Sequence, residues 1–472
     1  MLASGARLDD AQDAPLRAEP VLDGRRGCAL GAALVLALLA SATLGGRLGE
    51  GDLIGDPVIY AALAKAVVRT GDWGTLRLGG LPFFDKPPLV IWFAALSFAA
   101  FGIATWSARL PGVAAAVLAC LVTWRLGARL GGERVGLVAG AVLALTPGFV
   151  RFGSTLLLDP PFVLAALLAF RAALDAWERG GRGLWRAGAW LGAAFLAKGA
   201  LALGAPAVLA AFWLATPRTH RPPPRALLAA AAAFLAVVLP WHLWALWRWD
   251  GAFVRGYLGD VTEKLGGHPP ARVYARAAAE TMLPWLPVAG LGAWRARWQR
   301  GDALRLLVVW TLVGYGFLLT AAKHSPRFLM LLLPALALWT ALGLAPWLPP
   351  LRRLAAGLAA AAALAWAVVL LWPRPLHPLD TRLGVTALEP DLGPPGAPVI
   401  GLRAQAEQGR ARFYFYLDRN VDWVDDRAAL ARLPPGTPVI VPTLHASALA
   451  ADPRFVEVRR TADYALFRVV GR

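Results

Sequence analysis

Residues 80–92 read "GLPFFDKPPLVIW". An Asp-Lys pair, Asp85-Lys86, precedes two prolines, and the prolines open an apolar run that continues to about residue 104. Proline suits the first turn of a helix, because its fixed φ is already helical and the N–H it lacks has no partner there. A charged pair held just before such a helix is the pattern expected where a chain meets a membrane surface. The rest of the chain agrees. Of its 472 residues 58% are hydrophobic and 17% charged, where a soluble chain carries nearer a quarter charged. Apolar blocks of about 18 residues or more recur, the length that crosses a bilayer as a helix. The predicted fold is therefore an all-α polytopic membrane bundle.

The net charge of +18 does not call for a nucleic-acid partner. Basic residues of membrane proteins gather in cytoplasmic loops, and here Arg-rich stretches fall at 125–134, 179–186, 218–225, 295–305 and 352–353. Residues 1–27 are polar and end in Arg25-Arg26, which reads as a cytoplasmic tail. With a first span outward from Cys28, each pair of basic loops leaves room for one outward and one inward helix. The count is about eleven transmembrane helices, with up to thirteen as the upper bound. Residues 87–104 strain the map, since a full crossing there would invert every later loop. They are expected as a re-entrant or surface-lying helix, or beside a short hidden one. Cys28 and Cys120 both lie in apolar stretches, so no disulfide framework is expected.

On this map residues 28–372 form the transmembrane domain, with outer loops near 49–107 and 247–281. Residues 373–472 differ in composition and carry β-type runs, "APVIGL", "RFYFYL", "TPVIVPTL" and "ALFRVV", with a helical "DDRAALARL". They predict a small extracytoplasmic α/β domain. Placing the N-terminus in the cytoplasm puts this C-terminal domain in the periplasm. No nucleotide-binding fingerprint, Walker loop or Cys/His metal cluster appears.

Only five of the 48 basic residues are lysine: Lys65, Lys86, Lys198, Lys264 and Lys323. All five map to outer loops or outer helix ends, against the usual bias. Compact ammonium groups there suit an anionic ligand, while snorkelling to lipid headgroups is the plainer reading for Lys65 and Lys264. Asp56 and Asp159 each precede proline at a predicted helix start, where a carboxylate either caps the helix or serves a site as base or metal ligand. Asp85 repeats the pattern one residue further from its prolines. His268, between Gly and Pro in the second outer loop, is either a surface histidine or a metal ligand. Lys323, His324 and Arg327 precede another inward helix and could cradle an oxyanion.

The ordered series "GDPVIYAALAKAVVRTGDW", "LPFFDKPPLVIWFAALSFAAFG", "SARLPG", "GSTLLLDPPFVL", "FLAKGALAL", "GHPPARVYA" and "KHSPRFLMLLLPALAL" resembles the type-C membrane glycosyltransferases. More narrowly it resembles the aminoarabinose transferase and protein O-mannosyltransferase superfamily, over about residues 30–345. The resemblance implies a helical bundle with a long first outer loop and a polyprenyl-phosphate sugar as donor. It implies Asp56, with Tyr60 four residues on, as the first-loop catalytic motif, and Asp159 as the second aspartate. Lys86, Lys198, Arg327 and Tyr60 are implied at the donor phosphate, and Asp85 and His268 at a divalent metal (Zn, Mg or Mn). Two departures stand out. Asp85 replaces the family's usual glutamate, and Pro57 replaces an acidic neighbour of Asp56, which leaves Asp52 as a rival base.

The function so implied is sugar transfer, with inversion, to an envelope acceptor (lipid A, lipopolysaccharide or protein) at the periplasmic face of a bacterial inner membrane, with membrane lipids as the remaining partners. A secondary transporter or lipid flippase is the alternative, and a non-catalytic scaffold a third. Carboxylates gathered on one face favour surface chemistry over a translocation path.

Overall fold

The computed structural model describes residues 20–46, 48–49, 51–264, 271–319, 325–371, 384–394, 396–402 and 406–470. His268, Lys323, His324 and the side chain of Lys264 lie outside the described residues. Helices dominate up to residue 371. They are α1 (Pro20–Gly45), α2 (Asp56–Thr70), α3 (Leu89–Phe101), α4 (Thr105–Leu145), α5 (Pro147–Gly153), α6 (Asp159–Glu178), α7 (Trp185–Lys198) and α8 (Gly204–Ala215). There follow α9 (Pro224–Lys264), α10 (Ala271–Met282), α11 (Trp285–Ala296), α12 (Asp302–Leu318), α13 (Leu333–Leu344) and α14 (Leu351–Leu371).

Two of these are not single rods. The 41 residues of α4 turn back at Gly131 and Gly132, where φ is −155° and 82°. The two arms pack so closely that a Cβ on Gly136 would lie 2.4 Å from the Trp124 carbonyl oxygen. Trp124 Nε1 donates across the turn to Glu133 at 2.9 Å, and the Arg125 guanidinium lies 4.0 Å from the centre of the Trp124 ring. The basic stretch 125–134 is this turn. In α9 the break falls at Asp250, with φ 44° and ψ −131°.

Among the described residues, five helices or helix runs are long and apolar enough to cross a membrane: 105–145, 159–178, 185–215, 224–259 and 351–371. Leu30–Gly45, Leu89–Phe101 and Leu333–Trp347 are apolar but shorter. The opening motif belongs to the short class. Arg77–Leu78 (β1) and Leu81–Pro82 (β2) form a small antiparallel hairpin. Pro88 occupies the N-cap of α3, and α3 ends after 13 residues at Gly102. That is about 20 Å of helix, short of the ~30 Å hydrocarbon thickness.

The C-terminal residues form a five-stranded mixed sheet in the order β4-β3-β5-β7-β6. Its strands are β3 (Val399–Leu402), β4 (Val421–Val424), β5 (Pro438–Pro442), β6 (Phe455–Arg460) and β7 (Tyr464–Val469), with α15 (Ala406–Leu417) and α16 (Ala446–Ala450). β3 pairs in parallel with β4 and β5, and β7 runs antiparallel to β5 and β6. One expectation fails here. "RFYFYL" (412–417) alternates like a strand, yet it is the end of α15. Both of its faces are buried: Phe413 enters the core of the sheet domain, and Phe415 enters the core of the helical bundle. Packing on two sides replaced the one-sided pattern that alternation implies. "DDRAALARL" shrinks to a short 3₁₀ helix over Arg427–Arg432.

Lys65 corrects a second expectation. It does not snorkel to headgroups but is 3% exposed. Its ammonium donates to the carbonyl oxygens of Tyr414 and Phe415 at 3.0 and 2.8 Å and pairs with Asp418 at 2.7 Å. A charge can be buried this way because donors are satisfied and the charge is matched. Lys65 therefore joins α2 to the end of α15.

Candidate active site

Asp56 opens α2, but it does not cap it. The N-cap position is Gly55 at φ 68°, and no side chain caps the helix. Asp159 likewise stands as the first residue of α6 without a capping bond. Both carboxylates are spent elsewhere. Arg327 Nη2 lies 2.6 Å from Asp56 Oδ2, and the Tyr60 hydroxyl donates to the same oxygen at 3.3 Å. Lys198 Nζ bonds Asp159 Oδ1 in a buried ion pair. The two pairs act on one another electrostatically, since the Asp159 charge favours the charged form of Arg327. The structure thus brings together Asp56, Tyr60, Asp159, Lys198 and Arg327, drawn from α2, α6, α7 and the 3₁₀ turn Pro326–Leu331.

Local geometry explains these positions. Lys198 ends α7, and Gly199 follows at φ 65°. This left-handed turn costs glycine little, and it lies against Pro87 and the Tyr257 hydroxyl. The "AKG" motif and the "DKPP" motif are therefore neighbours. Phe84 anchors the latter by edge contacts to Trp249 and Phe253, at 5.8 and 5.7 Å between ring centres. Lys86 Nζ donates to the Asp85 carbonyl at 3.2 Å, and its charge acts on Asp56.

The two pairs face different spaces. Asp56, Arg327, Asp52, Arg109 and Arg151 line an open cavity of about 910 Å³. Its lining also includes the apolar Ala361, Leu364 and Val368 of α14. Lys198 faces a separate space of about 20 Å³ among Phe162, Phe328 and other apolar groups, room for one water. Its ammonium lies 5.4 Å from the centre of each of those two rings. The lysine expected at the donor phosphate is here committed to Asp159.

Burial pushes the Asp56 carboxyl up, but the Arg327 charge and hydrogen bond, helped by Lys86 and Tyr60, hold it below the ordinary carboxylate value. Asp56 is therefore ionised at neutral pH. Among the described residues no three His, Cys, Asp or Glu side chains gather as a metal-ligand set. Asp85 is the described half of the expected pair, and His268 lies outside the described residues.

Some participants went unnoticed in the sequence. Arg109 donates to the carbonyl oxygens of Leu48, Gly51 and Asp52 at 3.2, 3.2 and 3.3 Å, fixing the segment before Asp56. Tyr416 accepts the Leu53 N–H at 2.5 Å. Arg109 stands in the quoted "SARLPG", whereas nothing local marks Tyr416.

Residues 85–244 match the family described as dolichyl-phosphate-mannose-protein mannosyltransferase. The undecaprenyl phosphate-alpha-4-amino-4-deoxy-L-arabinose arabinosyl transferase of Pseudomonas aeruginosa strain LESB58 is 30% identical over 303 residues, 60% of this chain and 54% of that protein. The protein of the same name from Pseudomonas savastanoi pv. phaseolicola is 28% identical over 336 residues, 66% of this chain and 60% of that one. The chain spans about half the length of the curated relatives it matches. Among solved structures, ArnT from Cupriavidus metallidurans bound to undecaprenyl phosphate superposes with a TM-score of 0.70 at 18% identity, over 94% of this chain and 98% of that one. Its apo state gives 0.72 at 17% identity, over 95% and 98%. The archaeal oligosaccharyltransferase AglB from Archaeoglobus fulgidus, in complex with an inhibitory peptide and a dolichol-phosphate, gives 0.54 at 14% identity, over 90% and 71%.

Proposed function

Because the chain belongs to the superfamily of membrane glycosyltransferases that includes the aminoarabinose transferases and protein O-mannosyltransferases, we propose that it transfers a sugar from a polyprenyl-phosphate donor to a lipid acceptor. The observation that carries this reading is the Asp56–Arg327 pair on the wall of the 910 Å³ cavity. A cavity lined by both charged and apolar side chains suits a ligand with an anionic head and a hydrocarbon tail.

In the proposed reaction an oxygen of the acceptor attacks the anomeric carbon from the face opposite the phosphate. The new C–O bond forms as the bond to the phosphate oxygen breaks, and the electron pair leaves with the polyprenyl phosphate. The product is inverted at that carbon. Asp56, already ionised, accepts the hydrogen bond and then the proton of an acceptor hydroxyl. Arg327 and Lys86 neutralise the charge that grows on the departing phosphate. Lys198 balances Asp159, so that the Arg327 guanidinium is not drawn wholly to a second free carboxylate. Tyr60 orients the Asp56 carboxylate through the shared oxygen. We place the reaction at the outer face of a bacterial inner membrane, with the C-terminal sheet domain on the same side. Lipid A is the acceptor that best fits the apolar lining.

The test is release of polyprenyl phosphate by the purified protein in lipid nanodiscs. A panel of polyprenyl-phosphate sugars is supplied with an envelope lipid extract, and wild type is compared with Asp56→Asn. Release by wild type with loss in the variant supports the reading. A folded wild-type protein that turns over no donor sinks it, and equal release by both moves the base to Asp52.

A further inference from the structure

Residues 51–55, "GDLIG", form a strap that leads into α2 and delivers Asp56. Its two glycines take left-handed backbone, with φ 64° at Gly51 and 68° at Gly55. Glycine at such positions leaves the chain between them many alternatives, so the strap is defined by what grips it. The bundle grips it through Arg109, which holds the carbonyls of Gly51 and Asp52. The second grip comes from the C-terminal domain. There the Tyr416 hydroxyl accepts the Leu53 N–H at 2.5 Å, and Ile54 packs against the core that holds Leu388 and Phe413.

The helix that brings Tyr416 is itself fixed to α2. Lys65 binds the carbonyls of Tyr414 and Phe415, and Phe415 stacks on Phe98 of α3 with ring centres 6.1 Å apart. Helix α15 therefore touches α2 about two to three turns beyond Asp56 and touches the strap immediately before it. We infer that Tyr416 is a positioning residue for Asp56: its hydroxyl, supplied by the C-terminal domain, fixes the strap backbone and so the point at which α2 begins. This gives the C-terminal domain a part in building the reaction site besides any part in choosing the acceptor. The inference rests on the reading of Asp56 as the group that meets the acceptor.

The experiment uses the full chain in nanodiscs and the variant Tyr416→Phe, which removes one oxygen and keeps the ring. Amide hydrogen exchange at Leu53 and donor turnover are measured together. Exchange at Leu53 is expected to speed up about tenfold or more, with amides of α6 and β5 unchanged. The kcat is expected to fall about 5- to 50-fold, with KM for the donor held within about twofold, because alignment and not binding is lost. Unchanged Leu53 exchange overturns the inference. So does faster exchange with unchanged kcat, or a fall in kcat without faster exchange. Ile54→Ala loosens the same strap without touching the tyrosine, and it decides the matter by the same criteria should Tyr416→Phe fail to fold. Asp56→Asn is run in parallel. If it turns over like wild type, the reading of Asp56 as the base fails, while Leu53 exchange still decides whether Tyr416 holds the strap.

Discussion

The Arg327 guanidinium lies 2.6 Å from the Asp56 carboxylate, with the two side chains 27% and 31% exposed. The pair is neither sealed like a core ion pair nor washed by bulk water. An anionic ligand in the cavity can reach the arginine while the carboxylate keeps its charge.

The first prediction concerns pH. Burial alone would raise the Asp56 pKa, and Arg327 brings it below the ordinary value of 3.8. A carboxylate whose folded pKa lies below its unfolded one stabilises the fold above the unfolded value and loses that stabilisation as pH falls through the folded one. In wild type the acid limb of kcat should therefore fall below about pH 4. Arg327→Met should move that limb upward and lower kcat at neutral pH by about 10²- to 10³-fold. A kcat–pH series on both proteins checks this, and an unmoved limb would refute it.

Lys198 and Asp159 form a pair whose side chains are 8% and 3% exposed. Lys198→Met strands the Asp159 charge and should cost about 3–5 kcal/mol. Adding Asp159→Asn should recover most of that loss. Thermal unfolding of the two single variants and the double variant in nanodiscs measures the coupling. Additive losses would show that the pair does not act as a unit.

Lys65→Met removes two hydrogen bonds and an ion pair where α2 meets α15. The expected cost is about 1–3 kcal/mol at that junction, seen as faster protease cleavage between the bundle and the sheet domain. Arg69, whose contact with Asp418 is 3.5 Å long and more than half exposed on both sides, makes the control. Arg69→Ala should change cleavage little, because exposed pairs contribute about 0–1 kcal/mol.

Gly136→Ala places a methyl group 2.4 Å from the Trp124 carbonyl oxygen. The arms of the α4 hairpin must then part, at an expected 1–3 kcal/mol, roughly the cost of overpacking elsewhere. Gly132→Ala tests the turn separately, since it forces a side chain into φ 82° with open space around it. A thermal midpoint in Gly136→Ala equal to wild type would show that the arms are not in contact.

Much of the candidate site was legible because helix starts are marked locally. Asp-Pro at residues 56 and 159 and Lys-Pro at 86 announce first turns, and the ordered motifs carried the family resemblance. What those residues touch was not legible. Nothing near Lys198 names Asp159 as its partner, and nothing near Asp56 names Arg327, because both pairings are made by helix packing. The C-terminal sheet was read from its hydrophobic runs, yet β4 and β6 were missed and α15 was misread. In β6, Val456 and Val458 alternate with charged residues on an exposed edge, so the strand lacks the apolar density that drew attention to β5. Lys65 was misjudged for the same reason as α15: the partner that buries it lies in another domain.

The Lys65–Tyr414 contact joins residues 349 positions apart. During translation at about 5–20 residues per second, α2 leaves the ribosome roughly twenty to seventy seconds before the helix that grips its lysine and its leading strap. Through that interval Asp56 is present without its second restraint. A growing chain would thus hold the charged groups of the site on a slack backbone until α15 and the sheet beside it have folded.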